Sequence, residues 1–147
     1  MNSSKVRNKH ILVVDDEVDV LDFLKIYLET MGWEVTTAST VAQAFEELDK
    51  RPCFLVITDI AMPEMDGYEF INNIKENGHE CRFALMTGFG YNPKHTLVKI
   101  YKTVKYPCLF KPFNRDKVTE AVKEAYELYH SDIDDGGGDG GVGKSEG

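Results

Sequence analysis

Five short apolar runs recur along the chain, each followed by apolar residues at helical spacing, and this alternation restricts the possible folds more than any other feature. "HILVVDD" (10–16) precedes Val20, Leu24 and Tyr27, flanked by Leu21 and Leu28, with a stop signal near Gly32. "WEVTTAS" (33–39) precedes Val41, Ala44, Phe45 and Leu48 at i, i+3, i+4 and i+7. "CFLVITD" (53–59) precedes Phe70, Ile71 and Ile74, with Asp66 and Glu69 spaced as a capping box at the start of that helix. "CRFALMTG" (81–88) leads to Asn92 and Pro93 as N-cap and first helical residue, then to Leu97, Ile100, Tyr101 and Val104. "CLFKPF" (108–113) leads to Asn114 as N-cap and to Val118, Ala121, Val122 and Ala125. Strand followed by helix, repeated in this way, predicts an α/β domain built on a parallel sheet with helices on both faces.

The runs differ in polarity, and the difference predicts strand order. "ILVV", "FLVI" and "FALM" are apolar throughout, as strands covered on both faces must be, so they are predicted to lie inside the sheet. "WEVTTAS" is more polar and "YPCLF" contains Pro107, which lacks a ladder donor, so the second and fifth strands belong at the edges. The predicted architecture is a doubly wound, flavodoxin-like (βα)5 domain with a five-stranded sheet in the order 2-1-3-4-5. In such a sheet ligands bind beyond the carboxyl ends of the strands, where the order reverses between the first and third. Asp15, Asp16 and Asp59 all fall there.

Composition narrows the function classes. At 147 residues with 42% hydrophobic content, the chain suits one domain with a full core. The expected organisation is an N-terminal extension (1–8), the domain (9–130) and a tail or linker (131–147) that holds seven of the twelve glycines and no apolar period. A formal charge of -8 and no clustered Lys or Arg argue against direct nucleic-acid binding. The three cysteines, Cys53, Cys81 and Cys108, lie nearly thirty residues apart within or beside apolar runs, which suggests buried thiols in a reducing compartment rather than a disulfide framework or a zinc site. No apolar signal-peptide core and no membrane-length apolar run is present, so a cytoplasmic protein without membrane contact is expected. His10, His79, His95 and His130 share no metal-binding or catalytic spacing.

The three carboxylates gathered at one sheet edge repel one another by several kcal/mol per close pair at an effective dielectric of about 20. They therefore call for a cation. Carboxylate and carbonyl oxygens suit Mg²⁺, which keeps water positions open for a phosphate. Lys111, at the end of the fifth strand, and Thr87, at the end of the fourth, add one cation and one hydroxyl to the same rim, and together these groups can hold a phosphoryl group.

With "VVDDE" (13–17), "DIAMPEMDG" (59–67), "MTG" (86–88) and "KPF" (111–113) in this order at strand ends, the chain resembles the receiver domain of two-component response regulators over roughly residues 8–130. The resemblance implies that Asp59 is the phosphoacceptor, that Asp16, Asp59 and the backbone carbonyl of Ala61 bind Mg²⁺, and that Asp15 holds a metal-bound water. It further implies that Lys111 pairs with the phosphoryl group, that Thr87 hydrogen-bonds a phosphoryl oxygen, and that the Lys111–Pro112 bond is cis. The implied partners are a sensor histidine kinase or histidine phosphotransfer protein upstream and an output protein or domain downstream. The output would dock on the face made by the fourth helix, fifth strand and fifth helix, with dimerisation on phosphorylation as one outcome.

The chain departs from the family at the switch. The aromatic residue expected three positions before Lys111 is replaced by Cys108, while Tyr106, two residues earlier, lies on the same strand face. Two other classes fit the topology less well. A flavin module needs a first loop that accepts a phosphate, which "DDE" repels, and a metal-dependent phosphatase or nuclease needs a further acid–base residue. An interaction module working without phosphorylation is the remaining alternative.

Overall fold

The computed structural model describes residues 8–88 and 106–134. Strand β1 (His10–Val14) leads to helix α1 (Val18–Thr30), β2 (Glu34–Ala38) to α2 (Val41–Lys50), and β3 (Leu55–Asp59) to α3 (Gly67–Glu76). Strand β4 (Arg82–Thr87) and strand β5 (Cys108–Phe110) follow, and helix α4 (Arg115–Asp134) ends the described chain. The helix expected between β4 and β5, with Leu97, Ile100, Tyr101 and Val104, lies outside the described residues.

All strands pair in parallel, in the order β2-β1-β3-β4-β5. The three apolar runs are the inner strands and the two more polar ones the edges, as their composition predicts. Alternation along the strands divides the core in two. Ile11, Val13, Leu55, Ile57, Ala84, Met86 and Leu109 meet α1 and α4, whereas Leu12, Val14, Val56, Phe83 and Leu85 meet α2 and α3. The helical stripes supply the other half of each layer: Leu21, Leu24 and Leu28 with Val118 and Val122 on one side, and Ala44, Leu48, Phe70, Ile71 and Ile74 on the other.

Local signals are used as read. The Asp66 carboxylate accepts from the Glu69 amide at 2.8 Å, and the Asn114 side chain accepts from the Lys117 amide at 3.1 Å. Gly32 adopts φ 95 just past α1, a left-handed conformation that costs a residue without Cβ nothing. Helix α4 runs on to Asp134 rather than stopping at His130, because "SDID" contains no breaker before the glycines. Tyr126 and Tyr129 pack on Phe54 beneath the sheet, where the His130 ring joins them and bonds the Asn8 carbonyl through Nε2 at 2.9 Å. His10 is buried against the Thr36 hydroxyl, 2.6 Å from its Nε2, and His95 lies outside the described residues.

The connection from β3 to α3 sets the height of the carboxyl rim. The Gly67 amide donates to the Ile60 carbonyl, and a Cβ at position 67 would lie 2.9 Å from the Asp59 carbonyl oxygen and 3.0 Å from the Ile60 Cα. Those neighbours are backbone and cannot rotate away. Gly67→Ala is therefore expected to lose roughly 1–3 kcal/mol of stability, seen as a lower urea midpoint with an unchanged slope; a midpoint equal to wild type would contradict this packing.

Candidate functional site

The carboxyl ends of β1 and β3 deliver the acidic groups. Val14 pairs with Thr58, so the chain leaves both strands at one level, with Asp15 and Asp16 beyond β1 and Asp59 as the last residue of β3. Oxygens of the three carboxylates lie within 4.8 Å of one another. Asp15 is fully buried, Asp59 is 7% exposed, and Asp16 faces solvent. At an effective dielectric of about 20, two ionised groups at that separation repel by about 3 kcal/mol.

Lys111 offsets part of that repulsion. Its ammonium, carried one residue beyond β5, donates to Asp15 Oδ2 at 2.7 Å, to Asp59 Oδ2 at 3.1 Å and to Glu17 Oε1 at 3.1 Å. The Lys111–Pro112 bond is cis. Backbone donors take up further oxygens: the Glu17 amide reaches Asp15 Oδ1 at 2.8 Å and the Ala61 amide reaches Asp59 Oδ1 at 3.0 Å. Thr87 is buried at the end of β4, next to the Met86–Asp59 pair, and its carbonyl accepts from the Lys111 amide at 2.9 Å.

Four carboxylates around one ammonium leave the site short of positive charge. Burial pushes the Asp15 carboxyl up to about 6 against the opposing pull of Lys111 and the Glu17 amide. Burial also works to lower the Lys111 pKa, but the Asp15 hydrogen bond and the charges of Asp59 and Asp15 outweigh it and hold the ammonium well above its usual value. Oxygen donors alone, three of them ionisable and two of them buried, form a donor set for a hard divalent cation. Beside it a cavity of about 800 Å³ opens to solvent, lined by Asp16, Asp59, Ala61, Gly88 and Lys111 on its polar side and by Val20, Phe23 and Phe113 on the other.

The residues match a known family model, the response regulator receiver domain, over residues 11–123. The chain belongs to that family. It is 37% identical over 119 residues to the response regulator receiver protein CpdR of Brucella abortus, a match covering 78% of this chain and 95% of that protein. To the transcriptional regulatory protein ZraR of Escherichia coli O157:H7 it is 33% identical over 128 residues, spanning 87% of this chain but only 28% of that longer protein. Among solved structures, it is similar to a response regulator receiver domain protein from Clostridium thermocellum, with TM-score 0.71, 28% identity and coverage of 81% of this chain and 94% of that one. The beryllofluoride-activated NtrC4 receiver domain dimer matches with TM-score 0.72 and 35% identity, over 82% of this chain and 98% of that one. The receiver fold and a phosphoacceptor role in two-component signalling follow from membership, and receiver domains bind Mg²⁺ through acidic residues like those clustered here.

Every residue expected at the rim, Asp15, Asp16, Asp59, Ala61, Thr87 and Lys111, is found at strand ends on that edge of the sheet. Tyr106 and Cys108 lie apart from it, on the α2–α3 side of the sheet. The Tyr106 ring packs edge-on against Phe83, and its hydroxyl accepts from Lys75 Nζ at 2.9 Å. Cys108 is half-buried on the same face. Sequence reasoning missed two participants. Glu17 shares Lys111 with the aspartates, and its place in the "DDE" run was the available signal. Phe23 stacks on Phe113 and Tyr27, and its only signal was i+3 spacing from Val20.

The Asp15 shift has a sign that can be tested. Its folded pKa, about 6, lies above the unfolded value of roughly 4, so its contribution to stability is present at low pH and is lost as pH rises through about 6. A divalent cation binds only the deprotonated form. Added Mg²⁺ is thus expected to raise the melting temperature clearly at pH ~7.5, by the equivalent of about 2–3 kcal/mol at a hundredfold excess over Kd, and much less at pH ~5. Equal gains at both pH values would contradict the ionisation assigned to this cluster.

Proposed function

We propose that this chain accepts a phosphoryl group on Asp59 from the phosphohistidine of a sensor histidine kinase or a histidine phosphotransfer protein. The observation that carries the reading is the Asp59 carboxylate itself: nearly buried at the end of β3, clustered with Asp15 and Asp16, and held by Lys111 and the Ala61 amide. An Asp59 oxygen attacks phosphorus as the bond to the histidine nitrogen breaks, so alignment and charge neutralisation govern the rate more than proton transfer does. Lys111, already ion-paired to Asp59, is placed to follow the charge onto the phosphoryl oxygens. Thr87 supplies a hydroxyl for one of those oxygens. Asp16, Asp59 and the Ala61 carbonyl would hold Mg²⁺ directly and Asp15 through water; the bound ion supplies positive charge that Lys111 alone does not.

The unit that does this is residues 9–130 together with the last turn of α4, flanked by residues 1–8 and the Gly/Asp-rich segment. Incubation with acetyl phosphate and Mg²⁺ should add one phosphoryl mass to the wild type and none to Asp59→Asn. A labelled Asp59→Asn protein would refute the acceptor assignment. A wild type that takes no label would favour an interaction module working without phosphate.

The signal is proposed to leave through Thr87 and Tyr106, to a downstream protein or domain, or a second copy, docking near β5 and α4. Cys108 is too small to fill space that Thr87 vacates, whereas Tyr106 shares its strand face and is anchored to Lys75. A switch responds only to differential affinity for its two states. Tyr106→Ala should therefore take phosphate almost normally yet lose most of the beryllofluoride-induced amide shift changes in strands β4 and β5. If Tyr106→Ala responds like wild type and Cys108→Ala does not, coupling runs through position 108 instead.

A further inference from the structure

Opposite the carboxyl rim, the feet of β3 and β4 carry two of the three cysteines. Arg82 pairs with Leu55, and the Arg82 amide donates to the Phe54 carbonyl at 2.8 Å, so Cys81 lies beside Cys53 with a stagger of one residue. Neighbouring strands stand about 4.8 Å apart and rise about 3.3 Å per residue. The two Cα atoms are therefore roughly 6 Å apart, within the range of about 4.4–6.8 Å that a disulfide spans. Both side chains pack in the same apolar cluster on the α2–α3 side. Cys108 cannot reach them: it pairs with Leu85, four residues along β4 from Cys81, or roughly 13 Å away.

The two thiols differ in access. Cys53 is 2% exposed. Cys81 is half-buried and lines an open cavity of about 540 Å³ with Lys75, Arg82 and Tyr106. The neighbouring Cys81 thiol, and then burial, hold the Cys53 thiol well above the usual range, so Cys53 keeps its proton; neither cysteine is in a disulfide.

We propose that Cys53 and Cys81 form a thiol–disulfide couple, with Cys81 as the entry thiol and a low-molecular-weight disulfide such as oxidised glutathione as the oxidant. The Cys81 thiolate attacks one sulfur of the oxidant; that S–S bond breaks, and the first glutathione leaves as a thiolate that takes up the Cys81 proton. The mixed disulfide on Cys81 now stands beside Cys53. Cys53 then gives up its proton and attacks Cys81 Sγ, expelling the second glutathione, which leaves protonated. The protein loses two electrons and two protons, and the oxidant becomes two thiols. The product ties together the feet of the two strands whose far ends carry Asp59 and Thr87.

The test uses the full chain in glutathione buffers of increasing oxidised fraction, read by intact mass, alkylation of remaining thiols and peptide mapping. The expected wild-type product has lost two hydrogens, links the Cys53 and Cys81 peptides, and keeps Cys108 alkylatable after denaturation. Cys53→Ser should accumulate one stable glutathione adduct on Cys81, because the resolving thiol is gone. Cys81→Ser should take up none while folded. Two thiols that stay free throughout, a first adduct on Cys53, or a bridge involving Cys108 would each overturn the proposal. Peptide mapping of the wild type decides the matter even if either serine variant folds poorly.

Discussion

The Lys111 ammonium is bonded to Asp15, Glu17 and Asp59, partners 96, 94 and 52 residues away in sequence, and this shared ion pair ties three strand ends into one rim. Like charges at close range separate unless something rigid holds them, and here the rigidity comes from the sheet. Parallel pairing of β1 with β3 fixes Asp15 and Asp59 at one level, and β5 brings the cation over them. Breaking such a partly buried set by removing one member leaves the remaining charges uncompensated, which costs more than the set itself contributes to stability. The rim is thus stable only as an assembly, and its remaining shortage of positive charge suits it to a divalent cation.

The apolar layers serve this arrangement. Inner strands buried on both faces carry only hydrophobic side chains through most of their length and become polar at their ends, where the backbone is released to loops. Gly67 is part of the same construction, since it lets α3 start against the Asp59 and Ile60 backbone. At the opposite edge His10 bonds Thr36 and His130 bonds the Asn8 carbonyl. The Cys53–Cys81 pair lies at that edge too, one strand length from Asp59, so thiol chemistry there need not disturb the carboxylates.

The switch region departs from the family pattern in a physically specific way. An aromatic ring at position 108 would lie on the face now shared by Cys108 and Tyr106, and the ring that is present is anchored two residues lower by the Lys75 hydrogen bond and by Phe83. Movement of Tyr106 must break or follow that contact. Helix α3 is thereby bonded to the segment that leads into β5.

Much of this was legible in the chain. The alternation of apolar runs with helical stripes determined the α/β class, the polarity of the second and fifth runs determined the edges, and the acidic and basic residues at run ends determined the rim, because a buried strand can become polar only where it stops. Asp66 and Asn114 were readable as caps because capping is local. What tertiary structure alone decided depends on contacts between segments distant in sequence. No spacing rule relates Glu17 to Lys111, Lys75 to Tyr106 or Phe23 to Phe113. Nor does any relate Cys53 to Cys81: in sequence they are isolated thiols in separate apolar runs, and only the parallel register of β3 with β4 makes them neighbours.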